Sequence, residues 1–439
     1  MSGHKQPAKN PRTRTLVSLS FLLVICVGFA CAAEAATVTA NSCALSDVQA
    51  AIRRAANGDT VQVPSGTCSW TGTLSLSKPI FLKASGAVTI IDNYSAAEDL
   101  VRITESAAGN IRVSGFIWQY GVGPNTTYGN AVIGMYPGNN GKPILIDHNT
   151  FNMSTSGNSI KAGTNKGVIW NNTFTGQIGS TGGTGCYCNN ASALRHKLSA
   201  AQNSSWTTPA VYGTADANGD QNLYFESNTL KLVLEGIDVD DNARTIIRYN
   251  TLENSAIIHH GADTSGSGAR SSEIYNNNFS WNPNAGATDL PPNVNGFITI
   301  RGGTTLVHDN VIPDISGNTW GDKSEVQLLV ENPWRNAGPY ACWKEGYPVP
   351  HQTAWGFTTG GTKRTSEVFQ DSEPIYFWNN TGTGNYDGPS VGGYGPDECH
   401  NNAPPPDSFI QANRDYFTGR AKSGYTPYRY PHPLTGEGQ

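Results

Sequence analysis

The stretch Ile144-Leu145-Ile146-Asp147-His148-Asn149-Thr150-Phe151 decides the fold, because the chain keeps returning to it. It recurs as Val168-Ile169-Trp170-Asn171-Asn172-Thr173-Phe174 and as Leu223-Tyr224-Phe225-Glu226-Ser227-Asn228-Thr229-Leu230. Further copies centre on Asn250, Asn277, Asn310 and Asn380. Each has two or three apolar residues, a short polar spacer, then Asn and a large apolar residue. The closest copies are Asn149 to Asn172 and Asn228 to Asn250, so one unit takes about 22 residues. The wider gaps, 172 to 228 and 310 to 380, must hold long excursions.

A period of this length means a solenoid, in which each unit buries its apolar side chains against the neighbouring coils. Leucine-rich repeats need Leu at fixed positions, which are absent, and a propeller needs a longer period. The reading is therefore all-β, a right-handed parallel β-helix. Asn before Thr-Phe suits a bend because it tolerates left-handed backbone. Its amide can also bond the equivalent Asn one coil away, as in stacked amide ladders.

Composition agrees. Of 439 residues 14% are charged and 49 are Gly, as expected of a turn-rich β protein. Net charge is −5 with no basic run after the first residues, which argues against a nucleic-acid partner. Residues 1–35 read as a signal peptide: Lys5, Lys9, Arg12 and Arg14, an apolar run from Leu16 to Ala30, then Ala33-Glu34-Ala35. That run is short for a membrane span. The expected product is an exported monomer, extracellular or periplasmic, with no membrane span after signal removal. Six cysteines then remain. In an oxidising compartment Cys43–Cys68 would staple the N-terminal end and Cys342–Cys399 the C-terminal region. Cys186 and Cys188 stay open, and zinc spacing is missing.

Residues 36–400 read as the β-helix with long loop insertions. At its start Ser46-Asp47-Val48-Gln49 reads as a capping box, with Val48, Ile52 and Ala55 on one face of a short capping helix ended by Gly58. The strand Thr60-Val61-Gln62-Val63-Pro64 follows. Residues 401–439, rich in Pro, Tyr and Gly, read as a strap folded back over the last coils.

Several segments carry a resemblance: Gly58–Thr67 (GDTVQVPSGT), the Asn-Thr-Phe coils, HHGAD at 259–263 with GARSSEIYNNNF at 268–279, IRGGTTLVHDN at 300–310, PIYFWNN at 374–380, and RDYF at 414–417 with GYTPYRYPHPL at 424–434. Together they resemble the pectate-lyase-like superfamily of β-helix proteins, and more narrowly its secreted bacterial members. The resemblance covers nearly all of the mature chain. It implies the fold and a polysaccharide partner, and leaves the reaction open, since the superfamily includes lyases, hydrolases, esterases, epimerases and adhesins.

Charged residues concentrate in the coils ending at Asn250, Asn277 and Asn310. Asp241 and Arg301 each precede a repeat Asn by nine residues, which predicts one longitudinal stripe, with His259 and His260 between them. Lyases of uronic-acid polymers neutralise the substrate carboxylate, remove a proton at C5 and protonate the leaving oxygen. In that reading Arg301 or Arg270 neutralises the carboxylate or takes the proton, and His259, His260 and Asp263 are further catalytic candidates. Asp238, Asp240 and Asp241 are candidate Ca²⁺ ligands, since clustered carboxylates suit a hard cation. Arg244 and Trp343 are candidate substrate-binding residues. The Gly302-Gly303 pair after Arg301 suggests cleared space for a ligand. A hydrolase would instead use Asp238 with Asp240, Asp241 or Asp263 as acid and base. Non-catalytic carbohydrate binding is the third reading, for which Asn ladders and aromatics suffice. Asp240-Asp241-Asn242 also fits a plain solvated turn. Arg248 is expected to pair with Glu226, while His148, His308 and Asp309 are assigned to structure.

Overall fold

The computed structural model describes residues 1, 3, 35–96, 98–121, 130–152, 156–176, 190–198, 208–233, 235–261, 268–282, 296–313, 326–330, 353–358, 370–382, 388–393 and 410–436. From Ala35 onward these form one compact unit. Cys186, Cys188, Cys342 and Cys399 lie outside them, as do Asp263, Trp343 and nearly all of residues 1–34.

Each coil supplies three short strands, and equivalent strands of successive coils pair in parallel. Sheet I contains Ile144–Asp147, Gly167–Trp170, Leu223–Glu226, Arg244–Arg248, Ser271–Tyr275 and Thr304–His308. After the Asn corner, sheet II follows with Thr150–Asn152, Thr173–Thr175, Thr229–Lys231, Thr251–Glu253 and Asn278–Ser280. Sheet III has ten strands, from Leu74–Leu76 to Ser390–Gly393. The long strands Thr60–Trp70 and Phe81–Asp92 join sheets I and II at the N-terminal end. This is the parallel β-helix that the repeat predicts, and parallel crossovers are right-handed as a rule.

Asn149, Asn172, Asn228, Asn250, Asn277, Asn310 and Asn380 form one continuous ladder. Each backbone N–H donates to the Oδ1 of the next Asn at 2.8–3.1 Å. Each Nδ2 donates to the same Oδ1 at 2.8–3.2 Å. The left-handed residue is not the ladder Asn but the one before it: His148, Asn171, Ser227, Tyr249, Asn276, Asp309 and Asn379 all have φ between 52° and 57°. The bend thus precedes the Asn, which frees the amide to point into the stack. In the coil before Asn149, Gly115 (φ 86°) supplies the bend, and the Phe116 N–H donates to the first Oδ1.

Behind the ladder, sheet II points its large residues inward. Trp118, Phe151 and Phe174 stack in sequence, the last pair 4.8 Å apart and nearly coplanar. At the N-terminal end the helix Leu45–Arg54 buries Val48, Ala51 and Ile52. It starts one residue before the expected Ser46, and no side chain caps Ala44. Instead Ser42 Oγ donates to Asp47 Oδ2 at 2.6 Å. Cys43 and Cys68 form the expected disulfide.

The outer row of sheet I runs Asp147, Trp170, Glu226, Arg248, Tyr275, His308 and Trp378. Arg248, fully buried, pairs with Glu226 at 2.6 Å as expected. The guanidinium also donates to Tyr428 O and Arg429 O, and Glu226 accepts from the His432 N–H. Tyr430 stacks on Tyr249 with centroids 3.6 Å apart. Residues 425–435 therefore cover this face of the solenoid.

Two stability changes follow. Asn228→Ala strips buried donors of their acceptor and should lower stability by about 2–4 kcal/mol, read as a reduced urea midpoint by circular dichroism. Arg248→Ala leaves Glu226 buried and unpaired, at a cost of about 3–5 kcal/mol. Limited proteolysis of that variant should cut within 419–436 first.

Candidate functional site on the outer wall of sheet III

Alternation along sheet III sends every second residue inward. One inward row runs Ile103, Met135, Ala162, His196, Val239, His259, Ile300 and Leu328. His259 is therefore a core residue between Val239 and Ile300, fully buried. Burial pushes its pKa down to about 3, with His260 and Arg301 lowering it further. His196, in the same row, is likewise held at about 3 by burial. Of the two adjacent histidines, only His260 reaches the outer wall.

The outer wall has two rows. The first runs Arg102, Gly134, Lys161, Arg195, Asp238, Ile258 and Thr299. The second pairs Lys197 with Asp240 and continues through His260 and Arg301, whose N–H groups donate to Val239 O and His259 O. Here the equal-offset expectation fails by one residue. Arg301 aligns with His260 and Asp240, not with Asp241. The corner after Asp240 holds an extra residue: Asp241, Asn242 and Ala243 lead to Arg244, the first two with φ of 33° and 64°, whereas Gly302 and Gly303 alone lead from Arg301 to the equivalent Thr304. Gly303 has a backbone reason too, since a Cβ there would collide with Ala269 O and Arg270 O. Its space serves the neighbouring chain rather than a ligand.

On this wall Arg301 Nη2 contacts His260 Nδ1 and lies 2.9 Å from its Nε2, which in turn lies 3.0 Å from Asp238 Oδ1. Arg195 Nε is 3.5 Å from Asp238 Oδ2. Burial works to raise the Asp238 pKa, but His260, Arg195 and Arg301 overcome it and hold the carboxyl at about 2. Glu235 moves the other way, raised by burial and by Asp238. Lys161 is lowered by burial, with Arg195, Lys197 and Arg102 adding to the effect against Asp99.

The three aspartates do not form a calcium cradle. Lys197 Nζ sits 3.0 Å from Asp240 Oδ2 and 3.2 Å from Asp241 Oδ2, while Asp238 holds His260. Calcium would have to displace these cations, and among the described residues no group of three acidic, His or Cys side chains is arranged to hold a metal.

Arg270 and Arg244 lie at the corner between sheets III and I. Arg270 pairs with Glu373 at 2.7 Å and donates to Thr208 O, which ties two loops together. Arg244 donates to Pro209 O and Thr208 Oγ1. It lines a separate groove of about 700 Å³ with Glu105, Lys166 and Asp220, to which the sheet III wall residues contribute nothing.

Sequence reasoning missed Lys161, Arg195 and Lys197. The repeat Asn marks the corner between sheets I and II, so it gives no register for sheet III. Alternation in Leu194-Arg195-His196-Lys197, inward then outward, was the available signal.

No family model and no curated protein matches the chain. Among solved structures it is similar to an alginate lyase from a Paenibacillus species, at 11% identity and a TM-score of 0.35, covering 82% of this chain and 98% of that one. It is also similar to a PL6 family polysaccharide lyase from Pseudopedobacter saltans, at 12% identity and a TM-score of 0.29, covering 92% and 89%. Superpositions this loose carry no argument, and the β-helix stands on the strand register above.

The inward histidines give a pH signature. Their unfolded pKa is near ~6.5 and the folded value lies far below it, so the unfolded chain takes up protons first. The stability from keeping them neutral is complete above about pH 6.5 and drains away as pH falls toward 3. Thermal denaturation of His259→Leu should show a shallower loss of Tm over that window than the parent.

Proposed function

We propose that this protein is an exported polysaccharide lyase acting on an acidic, uronic-acid polymer. The observation that supports it is His260, held on the outer wall between Asp238 and Arg301 with Arg195 and Lys197 alongside. β-Elimination from a uronate needs the components of that arrangement. A cation neutralises the carboxylate, which makes the C5 proton more acidic, and Arg301 is suited to this by its planar, permanently charged fork. His260 accepts the C5 proton, with Asp238 positioning the ring. The C4–O bond then breaks as the C4–C5 double bond forms, and the departing oxygen takes its proton from the protonated His260 or from water. No step above runs through Arg270, and His259 acts from behind the wall by packing. Asp263 and Trp343, outside the described residues, remain proposed contributors.

A second reading has its own support. Glu235 with a raised pKa beside Asp238 with a lowered one is the split that glycoside hydrolases use for acid and base. The two chemistries give different products. Incubated with pectate, alginate and glycosaminoglycans, a lyase yields ultraviolet-absorbing unsaturated ends, whereas a hydrolase yields reducing ends alone. His260→Ala should reduce kcat for the lyase reaction by about 10²–10⁴-fold and leave the circular dichroism unchanged. Full activity in that variant would remove His260 from the mechanism. Activity lost only in Glu235→Gln, with saturated products, would establish hydrolysis.

A further inference from the structure

The sheet III wall continues past the reaction cluster toward the N-terminal end, where Arg102 and Lys161 have no part in the chemistry above and Arg195 borders the cluster through Asp238. Arg102, Lys161 and Arg195 stand in one outward row, with the Gly134 coil between the first two. At about 4.8 Å per coil the row spans roughly 14 Å. Gly134 is not a gap. The carboxylate of Asp99 lies where any other residue would place its Cβ, and it bonds the Tyr136 hydroxyl and the Ala131 N–H. A carboxylate of the chain itself is thus seated between two cations of the row. Arg102 is exposed but fixed, its guanidinium 3.9 Å from the centre of the Tyr136 ring.

We propose that this row is a docking track for a polyuronate chain laid along the solenoid axis. Its carboxylates meet Arg102 at the distal end and Lys161 with Arg195 at the proximal end, while Asp99 fills the coil between. Charge complementarity supports that occupant, since the like charges recur along the axis and not across the coil. Asp99 denies a carboxylate to its own coil, so the track favours substrate charges at two-coil intervals between Arg102 and Lys161. Short oligomers held at the reaction cluster do not reach Arg102, whereas longer ones do. The assignment rests on the acidic-polysaccharide reading, and it is tested by binding, apart from turnover.

The experiment measures binding of uronate dimers and hexamers, from pectate and from alginate, by calorimetry at low salt. The proteins are the parent, Arg102→Glu, and Lys231→Glu, an exposed lysine on sheet II serving as a net-charge control. Arg102→Glu should weaken hexamer binding by about five- to tenfold, leave dimer binding unchanged, and flatten the salt dependence for hexamers. Lys231→Glu should bind as the parent does. Equal losses in the two variants, or unchanged hexamer affinity in Arg102→Glu, would overturn the track. Arg102-dependent hexamer binding without turnover would keep the track and reject the lyase. Turnover of uronates with no dependence on Arg102 would do the reverse.

Discussion

A column of asparagine amides sets the geometry of this molecule. Each ladder Asn accepts from the backbone and side chain of the coil before it, while its own Nδ2 reaches back to a carbonyl there. These groups are buried, so every bond replaces water that is absent. The column therefore fixes the coil spacing and the start of each sheet II strand. Loops of very different length leave the coil and return to the same place. The wall of sheet III inherits its alignment from that constraint, which is how residues of four separate coils, Arg195, Asp238, His260 and Arg301, come to share one patch.

The fold was legible because the ladder is written in consecutive residues. Asn149, Asn172 and Asn228 come with the same neighbours each time, and burial of those neighbours leaves few alternatives. The site was less legible. Counting from Asn250 and Asn310 carries an error wherever a corner differs in length, and the Asp241–Ala243 turn is one residue longer than Gly302–Gly303. In a strand, one residue exchanges inside for outside. That step separates His259 from His260 in kind, one a neutral core side chain and the other a charged-wall neighbour. For Arg270 and Arg244 positive charge alone does not tell a substrate from a protein partner, and here Glu373 and Thr208 hold the first and Thr208 and Pro209 the second.

The wall is a network of opposed charges, not a row of free ones. Asp238 draws on His260 and Arg195, and Asp240 and Asp241 on Lys197. Partial burial strengthens each interaction and raises the cost of leaving any member alone. A substrate carboxylate entering here competes with built-in carboxylates for the same cations. Affinity for a single sugar would then be modest, and selectivity would come from many weak contacts in register.

The strap on sheet I carries a consequence for how the chain is made. Arg248 receives Tyr428 O and Arg429 O from residues about 180 positions later. Coils formed early in synthesis thus hold a buried cation whose last partners do not yet exist. Until the final segment emerges, Glu226 and Arg248 face water on an open sheet, and that face can serve as a template for another copy. Residues 425–435 thus act as a late cover: until they are in place, this charged face of the solenoid stays open.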